Sequence, residues 1–255
     1  MKKTLFLIAL IFTVNFNAQI VNIPDANFKN YLISTVNINL NLDGEIQWSE
    51  AASYTGGIYC YYDDISDLTG IEAFTAITTL SCGNNLLTSL DVSHNTAIIS
   101  LSCGFNQLTT LDLSFNTALI GLWCENNQLT SLDVSNNTVL TGVICDNNQL
   151  ECLNVKNGNN SNFSYDYLHA EGNINLTCIQ VDDVNLTTFW SYIDTQTSFS
   201  TDCGFCTAGL DALSISPKQL VRTIDFLGRE TEFKTNTPII YLYSDGTTEK
   251  VFKFE

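Results

Sequence analysis

The sequence predicts an α/β solenoid of stacked coils, and three recurrences in one register predict it. Cysteine stands at Cys82, Cys103, Cys124 and Cys145, every 21 residues, with Cys60 22 residues ahead. Asparagine follows three residues later, at Asn85, Asn106, Asn127 and Asn148. Leucine follows two residues after that, at Leu87, Leu108, Leu129 and Leu150. A fixed period of this length marks units that cannot bury their apolar residues singly and bury them by stacking. The expected architecture is a parallel β-sheet on the concave face, with a short helical N-terminal cap and a small β extension at the C-terminus.

Each position in the period has a physical reason. One short strand per coil stacks about 4.8 Å from the next. Leu80 and Cys82 alternate at period two, as do their copies, so both point inward and cysteine acts as a small buried hydrophobe. The asparagine sits where the chain leaves the strand, and its buried amide can satisfy backbone groups of its own coil and the next. Leu90, Leu111, Leu132 and Leu153, then Val92, Leu113, Val134 and Val155, line the return segment on the convex side. Asn95-Thr96, Asn116-Thr117 and Asn137-Thr138 supply turn chemistry there. Asp91, Asp112 and Asp133 form a further row, read as acceptors for backbone donors in those turns.

The stretch through Leu87 resembles the leucine-rich-repeat pattern L-x-x-L-x-L-x-x-N-x-L, with Cys82 in place of the third leucine. It is similar in particular to short bacterial repeats with cysteine at the strand position, found in Bacteroidetes surface proteins. The resemblance covers residues 58–181 and implies a right-handed coil. A sixth copy is expected at Leu168-His169-Ala170-Glu171-Gly172-Asn173, with Ala170 for cysteine. It follows a loop, Lys156 to Asn162, that reads as a bulge on the solenoid.

A stacked coil exposes an apolar end, so caps are needed. Residues 19–57 are the N-terminal candidate: Pro24-Asp25 reads as a helix start, with Phe28, Tyr31, Leu32 and Val36 at helical spacing. The first strand is expected at Ile58 to Tyr61. Residues 182–206 are the C-terminal candidate, where Asp182-Asp183 caps a helix carrying Val184, Phe189, Trp190 and Ile193. Cys203-Gly204-Phe205-Cys206 has the spacing of redox and zinc sites, but neither a βαβ pattern nor a second pair accompanies it, so it reads as a clamp on the cap. Cys152 and Cys178 occupy matching positions in consecutive coils, within disulfide reach, and the connectivity of the four cysteines stays open.

Within the N-terminal cap, Asn39-x-Asn41-x-Asp43-Gly44-Glu45-Ile46-x-x-x-Glu50 resembles a calcium-binding EF-hand loop. The resemblance implies calcium held by Asn39, Asn41, Asp43, the backbone oxygen of Glu45, and Glu50, with Gly44 at the sharp turn. The same residues also read as an ordinary Asn-Asp-Gly turn joining cap to solenoid.

Residues 1–18 have the charged, apolar and polar thirds of an export signal, Met1-Lys2-Lys3, Leu5 to Val14, and Asn15 to a cut after Ala18. The apolar run, roughly ten residues, is half the roughly 20 that a membrane span needs. Residues 210–255 lose the repeat. Apolar runs on either side of Asp245-Gly246 read as a β-hairpin, and with Asp225 to Glu230 the segment resembles the C-terminal sorting segment of the type IX secretion system. That resemblance implies the type IX machinery as a partner and a secreted or outer-surface location.

The net charge of −17, from 27 acidic and 10 basic side chains, repels nucleic acid and anionic lipid. Nucleophilic catalysis would need a base, and only His94 and His169 exist; His94 stands where other repeats have Phe115 and Asn136 and reads as surface variation. No G-x-S-x-G elbow or glycine-rich phosphate loop occurs. The expectation is therefore a monomeric binding protein without catalysis. Alternation sends outward the residues that flank cysteine, and these differ from coil to coil. Tyr59, Tyr61, Phe105, Trp123, Glu125, Asp146, His169 and Glu171 are the candidate binding residues, for a protein or a glycan as in an adhesin, since interface hot spots are built from such aromatics beside carboxylates. The alternative is a structural spacer or assembly component of the bacterial cell envelope that binds nothing in particular on this face.

Overall fold

The computed structural model describes residues 19–163 and 167–204, and the backbone of three strands between residues 220 and 251; the side chains of 187–189 and of those three strands are left undescribed. The chain divides into two units, residues 1–209 and 210–255. The first begins with helices α1 (Ala26–Ser34) and α2 (Trp48–Ser53). Ten short strands follow: β1 (Gly57–Tyr59), β2 (Thr79–Ser81), β3 (Ser100–Ser102), β4 (Gly121–Trp123), β5 (Ser131–Asp133), β6 (Gly142–Ile144), β7 (Cys152–Asn154), β8 (Leu168–His169), β9 (Cys178–Gln180) and β10 (Ser198–Ser200). They form a parallel β-solenoid of about seven turns. The larger sheet runs β1-β2-β3-β4-β6-β8 and the smaller β5-β7-β9-β10.

The core is the inward set that the period marks. Leu80, Leu101, Leu122 and Val143 pair across the larger sheet, and Cys82, Cys103, Cys124 and Cys145 beside them are fully buried free thiols. Leu132, Leu153 and Ile179 are their counterparts in the smaller sheet. That second sheet is the main departure from the expected return segments: the late coils are extended on both faces, and β-branched and leucine side chains at alternate positions fill the space between. α-Helix among the described residues is confined to the N-terminal cap.

Buried asparagines hold coil to coil. Asn127 Nδ2 donates to Cys103 O in the preceding coil (3.0 Å) and to Cys124 O in its own (3.1 Å), while Oδ1 accepts from Leu108 N (3.0 Å). Asn106 and Asn148 repeat the arrangement, and Asn173 does so in the sixth coil with Cys145 O, Ala170 O and Leu150 N. A second ladder runs on the other side. Asn116 Nδ2 donates to Val92 O and Asn95 O, and Asn137 Nδ2 to Leu113 O and Asn116 O. These asparagines are the ones whose Asn-Thr context reads as exposed turn; they are fully buried. Asn157 continues the row to Asn137 O, so the asparagine-rich loop is tied into the ladder, with Asp182 accepting from Gly158 N and Asn160 N. The aspartate row caps turns as expected: Asp91, Asp112 and Asp133 accept from Ser93 N, Ser114 N and Ser135 N.

Asp25 caps α1, its Oδ1 accepting from Asn27 N and Phe28 N, and its Oδ2 from Ser66 N, which pins the helix to the first coil. Val36 lies past the helix and is exposed, because the helix ends at Ser34. Tyr31 Oη accepts from Tyr59 N at 2.7 Å, covering a donor of the sheet's edge strand β1. At the far end the expected helix is shortened to a 3-10 segment, Val184–Phe189, after which the chain adds β10 and a parallel bridge from Tyr192 to His169. Cys178 is bonded to Cys203, not to its register neighbour Cys152, because the end of the chain folds back on β9. Cys152 is also disulfide-bonded, and Cys206 lies outside the described residues. In the second unit, β11 (Leu220–Ile224), β12 (Ile239–Tyr243) and β13 (Thr248–Val251) form an antiparallel sheet in that order. The turn at Asp245-Gly246 lies outside the described residues, as does the export signal at 1–18.

Truncating Asn127 to alanine leaves two carbonyls and one N–H short of a partner in the core. At about 1 kcal/mol or more for each, urea denaturation is expected to show a loss of about 3 kcal/mol, against about 1 kcal/mol for the smaller volume change of Cys124→Ala.

Candidate functional site

The outer face of the larger sheet is ordered in rows by the strand register. One row runs Tyr59, Ser81, Ser102, Trp123, Ile144 and His169, each paired with the next, and Tyr192 extends it by its bridge. Two residues further along each coil comes Tyr61, Gly83, Gly104, Glu125, Asp146 and Glu171. The fold therefore brings seven of the eight candidate residues into two adjacent rows. The eighth, Phe105, stands one position beyond the second row.

Glycines let the aromatic rings lie along the sheet. A Cβ on Gly121 would sit 2.6 Å from Trp123 Cη2, so the indole rests on the backbone of its own strand. Tyr59 lies over Gly57 in the same way, at 2.5 Å from Cε2. Each ring thus lies close against the backbone of its own strand. At the end of the row the His169 and Tyr192 rings stack, centroids 4.1 Å apart and 20° from parallel. Tyr61 and Tyr62 meet edge to face at 6.1 Å.

Phe105 and Tyr62 hold a left-handed backbone, at φ 56° and 61°. The equivalent position is Asn84, Asn126 and Asn147 in other coils, also left-handed, and Gly172 in the sixth. Asparagine and glycine tolerate that conformation; a bulky aromatic does so at a cost of about 1 kcal/mol. Both rings are exposed, Phe105 at 49% and Tyr62 at 72%, so packing does not recover the cost. Tyr62 is absent from the sequence-based site although it follows Cys60 by two residues, as Phe105 follows Cys103; the left-handed angle is what sets both apart from ordinary surface aromatics.

The carboxylates of the second row face one another without a lysine or arginine between them. Burial pushes the Glu125 carboxyl above its ordinary value, and the charge of Asp146 adds to the shift. Glu125 is folded over Gly104, and its Oε2 is buried with no hydrogen-bond partner. Burial likewise raises Asp146, opposed by the hydrogen bond its Oδ1 accepts from Glu171 N (2.7 Å) and by His169, and reinforced by the Glu171 charge. His169 Nδ1 lies 3.4 Å from Asp146 Oδ2, an ion pair whenever the imidazole is protonated. The cysteine ladder offers no comparable chemistry: burial pushes the Cys103 thiol up to about 12, and the others also rise, so none is a ready thiolate.

The candidate calcium residues share one loop of the N-terminal cap. Glu50 is buried in the capping box of α2, Oε2 accepting from Gln47 N (3.0 Å) and Oε1 from Leu40 N (2.8 Å). Asp43 Oδ2 accepts from Asn41 Nδ2 (3.0 Å) and Gln47 Nε2 (2.9 Å). The Glu45 carboxylate turns to Lys29 at 2.7 Å. Gln47, which sequence spacing passes over, joins this polar cluster, while Asn39 Oδ1 is buried without a partner. The hydrogen bonds already give the loop the form of a closed turn.

No protein-family profile and no curated protein matches this sequence. Solved structures do resemble it. The functional domain of InlJ from Listeria monocytogenes, described as including a cysteine ladder, is 30% identical with a TM-score of 0.52, over 67% of this chain and 38% of that one. The fold is a leucine-rich-repeat solenoid. An internalin, InlF, from Listeria monocytogenes strain 4b F2365 is 17% identical with a TM-score of 0.42, over 69% of this chain and 55% of that one. This chain thus spans well under half of the InlJ domain and about half of InlF. Among the described residues no helix is long and apolar enough to cross a membrane.

The raised Glu125 carboxyl has a sign that can be measured. Its ionised form costs the folded state, so the cost is absent when the carboxyl is protonated in both states and appears as pH rises through and above the ordinary carboxylate range. Glu125→Gln is expected to raise stability at pH 7 by at most about 1 kcal/mol, since a half-exposed charge is screened. The gain should vanish in urea titrations at pH 3.

Proposed function

We propose that this protein is a non-catalytic recognition module, exported from the cell, whose larger-sheet face binds a macromolecular partner. The observation that carries the reading is the exposed aromatic surface held at a backbone cost: Phe105 and Tyr62 occupy left-handed positions that asparagine fills elsewhere. Strain kept at an exposed residue points to use rather than to packing. Aromatic rings beside carboxylates are the composition of binding hot spots. Export is supported by the Cys178–Cys203 disulfide, a bond that persists in oxidising compartments, together with the N-terminal signal pattern. The sorting role of residues 210–255 through a type IX pathway is part of the same proposal.

The test is the full chain on protein and glycan arrays beside Trp123→Ala and Phe105→Asn. Trp123→Ala is expected to abolish the specific signal with the urea midpoint little changed. Phe105→Asn is expected to weaken binding while stabilising the fold by about 1 kcal/mol, through relief of the left-handed strain. A spacer of the envelope would give no array signal and the same stability gain.

For the cap loop, calcium is the reading favoured by one feature, the buried and unpartnered Oδ1 of Asn39, next to the N–H of Leu40 that Glu50 holds. Calcium against chelator is expected to raise Tm by several degrees, and Asn39→Ala to remove the rise; an unchanged Tm leaves the hydrogen-bonded turn.

A further inference from the structure

The recognition reading leaves the partner's chemistry open, and the second row of the face restricts it. Glu125, Asp146 and Glu171 stand at equivalent positions in three successive coils, about 4.8 Å apart from strand to strand. Within residues 19–163 and 167–204 the only lysines and arginines are Lys29 and Lys156. Lys29 is paired with Glu45, and Lys156 donates to Thr201 O, so neither serves this row. His169 Nδ1 lies 3.4 Å from Asp146 Oδ2. Glu125 keeps a buried oxygen without a donor. Beside the row lies Trp123, its ring close against Gly121, and an indole face is a surface on which a guanidinium stacks.

We propose that this face seats a cationic segment of a protein partner, an arginine laid over Trp123 and held by Glu125 and Asp146, with further basic residues opposite Glu171. Charge complementarity decides for a polypeptide over a neutral glycan. A sugar laid on the rings would bury the crowded carboxylates further without neutralising them, which raises their desolvation cost. A guanidinium supplies paired donors to the outward carboxylate oxygens, and its plane suits an indole face. The chain's overall charge of −17 steers such a partner toward it.

The experiment uses the full chain and a synthetic peptide of alternating arginine and glycine, with its citrulline counterpart as the uncharged probe, followed by calorimetry and Trp fluorescence. The arginine peptide is expected to bind and the citrulline peptide to bind at least about tenfold more weakly. Glu125→Gln with Asp146→Asn should weaken the arginine peptide about tenfold or more, with the fold checked by the urea midpoint. The control, Asp67→Asn with Glu151→Gln, removes the same charge away from the row and should leave affinity within about twofold. Equal losses in the two double variants would mean attraction to net charge only and would overturn the proposal. So would equal binding of the citrulline peptide, or a neutral oligosaccharide whose binding requires Trp123 and survives neutralisation of the row. That last result would leave the recognition reading standing. A face on which Trp123→Ala changes no binding of any probe would remove both.

Discussion

Everything in the solenoid depends on one interaction, the buried asparagine amide that bonds forward and back between coils. A strand of three residues makes too few ladder bonds to fix its neighbour, and a coil without a helix leaves many backbone groups facing the core. Asn106, Asn127, Asn148 and Asn173 answer both needs, each donating to carbonyls of its own coil and the one before and accepting one N–H. The second ladder, from Asn95 to Asn157, does the same work opposite, through its donors. With both turns locked, leucine and cysteine need only fill the space between.

This division of labour explains why the outer face varies. The inward positions are constrained by volume and by the ladder, so they repeat. The outward ones meet solvent, and their differences cost the fold little, except at two residues. Phe105 and Tyr62 depart from the asparagine that the backbone prefers, and both departures place an aromatic ring at the rim of the face. Glu125 departs in another way, as a carboxylate pressed against the sheet beside a second one. Local expense of this kind, set on a repeated scaffold, is one way a repeat protein acquires a specific surface.

Much of this was legible in the sequence, because a period fixes many residues at once. The inward leucines and cysteines, the first asparagine ladder, the sixth coil at Ala170 and the Asp25 cap all follow from spacing and residue type. The second ladder did not, since Asn-Thr has the chemistry of an exposed turn and burial cannot be read from it. The second sheet was hidden for a related reason: Leu132, Leu153 and Ile179 show the alternation of an extended segment, but their pairing partners lie in the next coil. Of the outer face of the larger sheet, the rows were legible and the closeness of the rings to the backbone was not. Gly121 and Gly57 read as ordinary strand glycines until the rings above them are seen. Tyr62 shares the register of Phe105, two residues after its cysteine, but the left-handed backbone that makes both costly leaves no mark on the residue type.

Native-state hydrogen exchange on the full chain tests the ladder most directly. The amides of Leu87, Leu108, Leu129 and Leu150 each donate to an asparagine Oδ1 of the following coil. They are predicted to exchange only through global unfolding, with the slope against denaturant of the whole domain. Exchange of these amides by local opening, while the strands of the larger sheet stay protected, would contradict the claim that the ladder holds the coils together.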